Sequence, residues 1–190
     1  MFQILQIKNF IPFDCKMSIF DIDYSKLYDE GRRIILFDLD NTIISYDISQ
    51  ADLKISSLFN NIKEIGFEIL ILSNNREKRV KDFAEQLNLK YVHMAKKPLK
   101  GGYKKALKQV TFHDYQELIS VGDQIMTDVF GSNRMHIDCI LVPPIKQKTE
   151  KWYTKLNRRM ETLVLKKIKK HDLSIYYKIM ELKGIKYEKM

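Results

Sequence analysis

The chain has 190 residues, 45% hydrophobic and 11% aromatic, which suits one domain with a full core and excludes a disordered chain. Two cysteines, Cys15 and Cys139, are too few for a disulfide scaffold or a thiolate zinc site and read as reduced thiols of a cytoplasmic protein. The net charge is +9 and unevenly placed: 14 of the 33 Lys and Arg lie in residues 146–190 with five of the 24 Asp and Glu, leaving 19 of each sign in residues 1–145.

The opening MFQILQIKNFIPFD lacks a basic leader and is interrupted by Lys8, so it reads as no signal peptide. Residues 1–32 form an extension, with a turn and a short helix predicted in SIFDIDYSKLYDEG up to Gly31. Buried strands are predicted at RIILFDLD, FEILILS, KYVHMA, ELISVGD and IDCILVP. Helices are predicted between them at DISQADLKISSLFNNIKEIG, REKRVKDFAEQLN, PLKGGYKKALKQV and around DVFGSNRM. Strands alternating with helices predict an α/β fold, a parallel sheet with helices on both faces. No apolar run approaches the ~20 residues needed to cross a bilayer. The domain is expected over residues 1–145, followed by a basic helical extension over 146–190. In that extension Trp152, Leu156, Met160, Val164 and Ile168 recur every four residues as an apolar stripe, widened by Leu163, with Lys155, Arg159, Lys166 and Lys170 mostly off it.

In parallel sheets, ligands gather beyond the carboxyl ends of the strands. The predicted strand ends carry the polar residues. FDLDNT, residues 37–42, places Asp38 and Asp40 two apart, and two close carboxylates repel unless a cation lies between them; a hard cation with oxygen ligands fits. Ser73 and Asn74 of LSNN can take a phosphate oxygen through a hydroxyl and backbone N–H groups. KKP, residues 96–98, offers a lysine to a transferring phosphoryl group, and the residues alone do not decide between Lys96 and Lys97. GDQIMTD, residues 122–128, lets Asp123 and Asp128 converge from the two ends of a turn. Each motif alone also fits a helix cap or an acidic loop. Their order, each at a strand end, carries the reading.

In this order the motifs resemble the four of the haloacid dehalogenase-like phosphatases. With SIFDID, SNNREKRVKDFAEQL, AKKPLKGGYKKAL, VGDQIMTDVFGSNRM, ILVPPI and NRRME, the chain resembles the YqeG family of bacterial phosphatases over roughly residues 18–165, with kinship to the mitochondrial phosphatidylglycerophosphate phosphatases. The resemblance implies a Rossmannoid fold and a magnesium-dependent phosphomonoester hydrolase. Asp38 corresponds to the nucleophile, Asp40 to the general acid and base, Ser73 and Asn74 to the phosphate-binding segment, and Lys97 to the phosphate-neutralising lysine. Magnesium falls to Asp38, Asp123 and the backbone carbonyl of Asp40, with Thr42 and Asp128 around that shell.

Neither the stretch after Asp40 nor that between Ser73 and Lys97 has room for a cap domain. An uncapped site suits a phosphate displayed on something large, and the family kinship implies phosphatidylglycerophosphate. A basic amphipathic extension suits an anionic membrane surface, placing the protein in the cytoplasm at the membrane's inner face. The alternatives are a protein or nucleotide phosphatase, and a non-catalytic RNA-binding module that uses the basic extension.

Overall fold

The computed structural model describes residues 6–146 and 153–184, the side chains of 153–159 excepted. In chain order the elements are β1 (Asp14–Cys15), α1 (Tyr24–Asp29), β2 (Ile34–Phe37), α2 (Leu53–Ile65), β3 (Glu68–Leu72), α3 (Glu77–Gln86), β4 (Lys90–Val92), α4 (Lys100–Leu107), β5 (Leu118–Gly122), α5 (Phe130–Asn133), β6 (Asp138–Leu141), α6 (Tyr153–His171) and α7 (Leu173–Leu182). A π-helical turn, Ile125–Val129, joins β5 to α5.

The sheet has the order β1-β6-β5-β2-β3-β4 with every neighbour parallel. Five strands were expected and the sixth is β1, two residues pairing Asp14 with Ile140 and Cys15 with Leu141. So short a strand shows no alternation, which is why the sequence hides it. The helix expected from Asp47 starts at Leu53, where the Asp52 carboxylate accepts the Ile55 N–H at 2.8 Å. Its end is as expected: Gly66 sits at φ 115°, left-handed backbone that a Cβ disfavours.

Alternate strand residues face opposite layers. Ile35, Phe37, Ile69, Ile71, Ile119 and Val121 pack against Leu27, Phe59 and Phe83 of α1, α2 and α3. Ile34, Leu36, Leu70 and Leu118 pack against Tyr103 and Ala106 of α4. Beside that second layer, Val164 and Ile168 of α6 and Ile179 and Leu182 of α7 share a cluster with Phe10, Val129, Phe130 and Leu141. Two residues of the predicted apolar stripe are thus spent on the core, while Met160 and Leu163 are exposed. Trp152 lies outside the described residues, as do the side chains of Lys155, Leu156 and Arg159. No helix among the described residues is long and apolar enough to cross a membrane. The segments where a cap would be inserted are a loop over 38–52 and, between β3 and β4, α3 alone.

Candidate active site

The β2 strand ends at Phe37 inside the sheet, and the next residue, Asp38, still donates its N–H to the Val121 carbonyl of β5 at 2.9 Å. Its carboxylate is therefore fixed at the carboxyl edge of the central strand. Asn41 then adopts left-handed backbone, φ 65°, and turns the chain so that Asp40 faces the same cleft. Asparagine tolerates this region better than most residues. Asp38, Asp40, Ser73, Asn74, Lys97 and Asp128 all line this cleft of about 260 Å³, with Tyr46, Asn75, Gln124 and Thr127 completing it.

Lys97 is the centre of the charge arrangement. Its Nζ donates to Asp38 Oδ1 and to Asp128 Oδ1, both at 2.6 Å, and all three side chains are buried. The other oxygen of Asp38 accepts Thr42 Oγ1 at 3.1 Å. The other oxygen of Asp128 accepts the Gln124 N–H at 3.1 Å and Thr127 Oγ1 at 3.2 Å. Lys96 instead is exposed, so the structure separates the two lysines that the sequence left level. Burial alone would lower the Lys97 pKa; Asp128 and Asp38 reverse this and hold it well above the ordinary lysine value.

The same burial pushes Asp38 up to about 7, against the pull of Lys97 and with Asp128 and Asp40 adding to the rise. Asp123 is held well above the carboxylate range by burial first, then by Asp38 and Asp128. One ligand oxygen from each of Asp38, Asp123 and Asp128 lies within 4.8 Å of the others, and Asp123 Oδ1 is buried with no hydrogen-bond partner. A crowded acid set with one buried oxygen unpartnered fits a divalent cation. The Asp40 carboxylate is not in that set.

Asp40 is held elsewhere. Arg79 Nε donates to its Oδ1 at 2.6 Å, while Asn75 Nδ2 at 3.0 Å and Ser73 Oγ at 3.4 Å reach its Oδ2. Arg79 and Asn75 were not singled out in the sequence. One signal was available: Arg79 precedes buried Val80 and lies one turn before buried Phe83, which puts it on the edge of α3 that meets the sheet. Asn74 has a more internal place than expected. Its Oδ1 accepts the Lys97 N–H at 2.6 Å and its Nδ2 donates to the Lys97 carbonyl at 3.1 Å, so its side chain clamps the lysine's backbone.

Asp128 reaches the cleft because β5 ends in glycine. A Cβ built on Gly122 would lie 2.4 Å from Asp128 Cβ, closer than any side chain permits. The π-helical turn then returns Asp128 over that gap.

A family model described as "Mitochondrial PGP phosphatase" matches residues 3–146. The chain belongs to this family. It is 33% identical over 163 residues to the protein named probable phosphatase YqeG of Bacillus subtilis, covering 86% of this chain and 94% of that protein. It is 25% identical over 156 residues to phosphatidylglycerophosphate phosphatase 1, chloroplastic/mitochondrial, of Arabidopsis thaliana, covering 77% of this chain and 44% of that one. Among solved structures it is similar to the cobalt-bound deoxy-D-mannose-octulosonate 8-phosphate phosphatase YrbI of Haemophilus influenzae, at 12% identity and TM-score 0.46, over 74% of this chain and 90% of that one. As a member of the PGP phosphatase family, the chain is a phosphatase, and its substrate is a phosphomonoester.

Proposed function

We propose that this protein is a magnesium-dependent phosphatase acting through an aspartyl-phosphate, on a phosphomonoester carried by something large, with phosphatidylglycerophosphate as the substrate. The observation that carries the reading is the buried Asp38–Lys97–Asp128 arrangement beside an independently held Asp40.

In the first step a carboxylate oxygen of Asp38 forms a bond to phosphorus and the bond from phosphorus to the ester oxygen breaks. Asp40 gives its proton to that leaving oxygen. In the second step Asp40, now a carboxylate, takes a proton from water; the water oxygen bonds to phosphorus and the Asp38–phosphorus bond breaks, releasing inorganic phosphate. Lys97 offsets negative charge on the transferring group and on Asp38. Ser73 and the backbone N–H of Asn74 hold phosphoryl oxygens, the Asn74 side chain being spent on Lys97. Magnesium would be held by Asp38, Asp123 and the Asp40 carbonyl, and supplies charge neutralisation at the phosphoryl oxygens. Thr42 and Asp128 surround that set, Thr42 on Asp38 and Asp128 on Lys97.

The cleft, about 260 Å³, is smaller than the roughly 300–1,000 Å³ of sites that enclose a whole small molecule. The rest of the substrate therefore stays outside. The names of the family and of the Arabidopsis relative support phosphatidylglycerophosphate.

The test is phosphate release by purified protein with magnesium, from phosphatidylglycerophosphate in micelles and from soluble protein, nucleotide and aryl phosphates. Lipid phosphate is expected to be preferred, Asp38→Asn to be inactive, and Asp40→Asn to accumulate phosphorylated protein by intact mass. Turnover by Asp38→Asn, or full activity in excess chelator, would overturn the mechanism. A preference for a soluble phosphate would overturn the substrate.

A further inference from the structure

The loops that follow the strands carry a second pattern around the acid cleft. Ile48, Met94, Leu99 and Ile145 are 47%, 54%, 57% and 51% exposed. They follow β2, β4 and β6 in an all-parallel sheet, so they share its carboxyl end with the cleft. Each is held by a backbone hydrogen bond, Ile48 and Leu99 within their own loops and Met94 and Ile145 to a neighbouring one. Ile48 N–H donates to Ser45 O at 3.1 Å, Met94 to Asn75 O at 2.9 Å, Leu99 to Lys96 O at 2.9 Å and Ile145 to Asn41 O at 3.0 Å. Large apolar side chains held outward by ordered backbone are a surface awaiting a cover.

The opposite end of the sheet differs. Among the described residues, the loops that lead into strands expose Phe13 and Tyr115, and both rings are engaged: Arg32 sits 5.2 Å over Phe13, and Phe112 lies 5.3 Å from Tyr115. The apolar residues that α6 and α7 expose, Met160, Leu163, Leu173 and Tyr177, lie on helices and not on the loops that follow the strands.

Cations are interleaved with the apolar residues. The segment from Met94 to Lys97 turns through left-handed backbone at Met94, φ 44°, and Lys96, φ 55°. Ala95 and Lys97 are thereby buried, while Met94, Lys96, Leu99 and Lys100 are exposed. Left-handed backbone at these two non-glycine residues sets this alternation. Lys96 and Lys100 have no ion pair among the described residues.

We propose that this collar is the surface by which the protein docks on an anionic lipid bilayer. Ile48, Met94, Leu99 and Ile145 enter the boundary between headgroups and acyl chains, and Lys96 and Lys100 meet lipid phosphates. The inference rests on the lipid reading above and seats the membrane against the catalytic mouth through these loops. The charges are complementary, since Lys96 and Lys100, without an ion pair among the described residues, lie on either side in sequence of the segment that carries Lys97 into a cleft accepting an anionic headgroup. A bilayer seated there delivers a headgroup phosphate to Asp38 while the acyl chains stay in the membrane, as the small cleft requires.

The test is co-sedimentation of the full chain with vesicles of phosphatidylglycerol and phosphatidylcholine, and with phosphatidylcholine alone, in chelator and without any phosphomonoester substrate. Three variants are compared with the natural chain: Met94→Ser/Leu99→Ser/Ile145→Ser, Lys96→Gln/Lys100→Gln, and Lys166→Gln/Lys167→Gln/Lys170→Gln in α6. The natural chain and the α6 variant are expected to bind the anionic vesicles. Both collar variants are expected to bind at least about tenfold more weakly and to keep hydrolysis of a soluble aryl phosphate. If the serine variant melts early, the Lys96/Lys100 variant, altered only at exposed positions, carries the comparison. Undiminished binding by the collar variants, loss confined to the α6 variant, or no binding by the natural chain would each overturn the proposal, the last leaving a protein partner as the occupant. Vesicle binding without phosphatase activity would sink the catalytic reading alone. Hydrolysis without vesicle binding would sink the collar alone.

Discussion

Arg79 and Asp40, 39 residues apart, form an ion pair that ties α3 to the loop after β2, with Arg79 Nε 2.6 Å from Asp40 Oδ1. A second guanidinium nitrogen of Arg79 donates to the Ser45 carbonyl at 3.0 Å, so the arginine holds both the acid and the turn that presents it. With Asn75 on the other oxygen, the Asp40 carboxylate has one orientation.

That arrangement makes Arg79 a positioning residue for the proton transfer proposed for Asp40. Arg79→Met is expected to lower kcat on alkyl phosphates by about 100-fold, the size of a lost general acid. On an aryl phosphate whose phenol leaves readily, the loss should be only a few-fold, because that oxygen needs no proton. Arg79→Lys should recover little, since one ammonium cannot hold both Asp40 and the Ser45 carbonyl. Steady-state kinetics on paired substrates decide; equal losses on both would show that Arg79 does not act through Asp40.

The two adjacent lysines should separate in one experiment. Lys97→Ala leaves two buried carboxylates without their cation, and is expected to cost about 3–5 kcal/mol at pH 7 and to abolish turnover. Lys96→Ala changes an exposed side chain and should stay within about 0.5 kcal/mol, with aryl phosphate hydrolysis intact. Urea denaturation and phosphate release measure both; a stable, active Lys97→Ala would overturn the centre of the site.

Asp38 and Asp123 have raised pKa values in the folded state, so between the ordinary carboxylate value and the raised one the folded chain binds more protons than the unfolded chain. Stability of the metal-free protein therefore falls as pH rises from about 4 to about 7. Magnesium is expected to raise Tm more at pH 7 than at pH 5. Asp123→Asn removes the carboxylate whose Oδ1 is buried without a partner, so it should raise the metal-free Tm at pH 7, flatten that slope and weaken magnesium activation by at least about tenfold. Melting curves in chelator across pH check this, and a lower metal-free Tm for Asp123→Asn would contradict the crowding argument.

Gly122→Ala places a methyl 2.4 Å from Asp128 Cβ. The clash is against a buried side chain on ordered backbone, so about 2–3 kcal/mol of stability is expected to be lost. Asp128 would also move from Lys97, lowering turnover even where the protein remains folded. Denaturant midpoints and kinetics on the same preparation test both; an unchanged midpoint would show that the turn can yield.

Local pattern made much of this protein legible. Apolar runs ending in polar residues located β2, β3 and β5, and 3.6-residue periodicity located α2, α3 and α4, because these signals arise from which face a residue turns inward. The order of FDLDNT, LSNN, KKP and GDQIMTD pointed to one cleft, because a parallel sheet collects the ends of its strands on one edge. What stayed hidden depends on partners distant in sequence. β1 exists only because β6 offers it an edge. The choice of Lys97 over Lys96 follows from Asp38, 59 residues earlier, and from Asp128, 31 residues later. The sequence placed Asn74 in a phosphate-binding segment through its backbone N–H, and only the fold shows its side chain clamping the Lys97 backbone. The stripe through Val164 and Ile168 announced an amphipathic helix, but periodicity reports that a face is apolar and not what covers it; tertiary packing gave that face to Phe130 and Leu141.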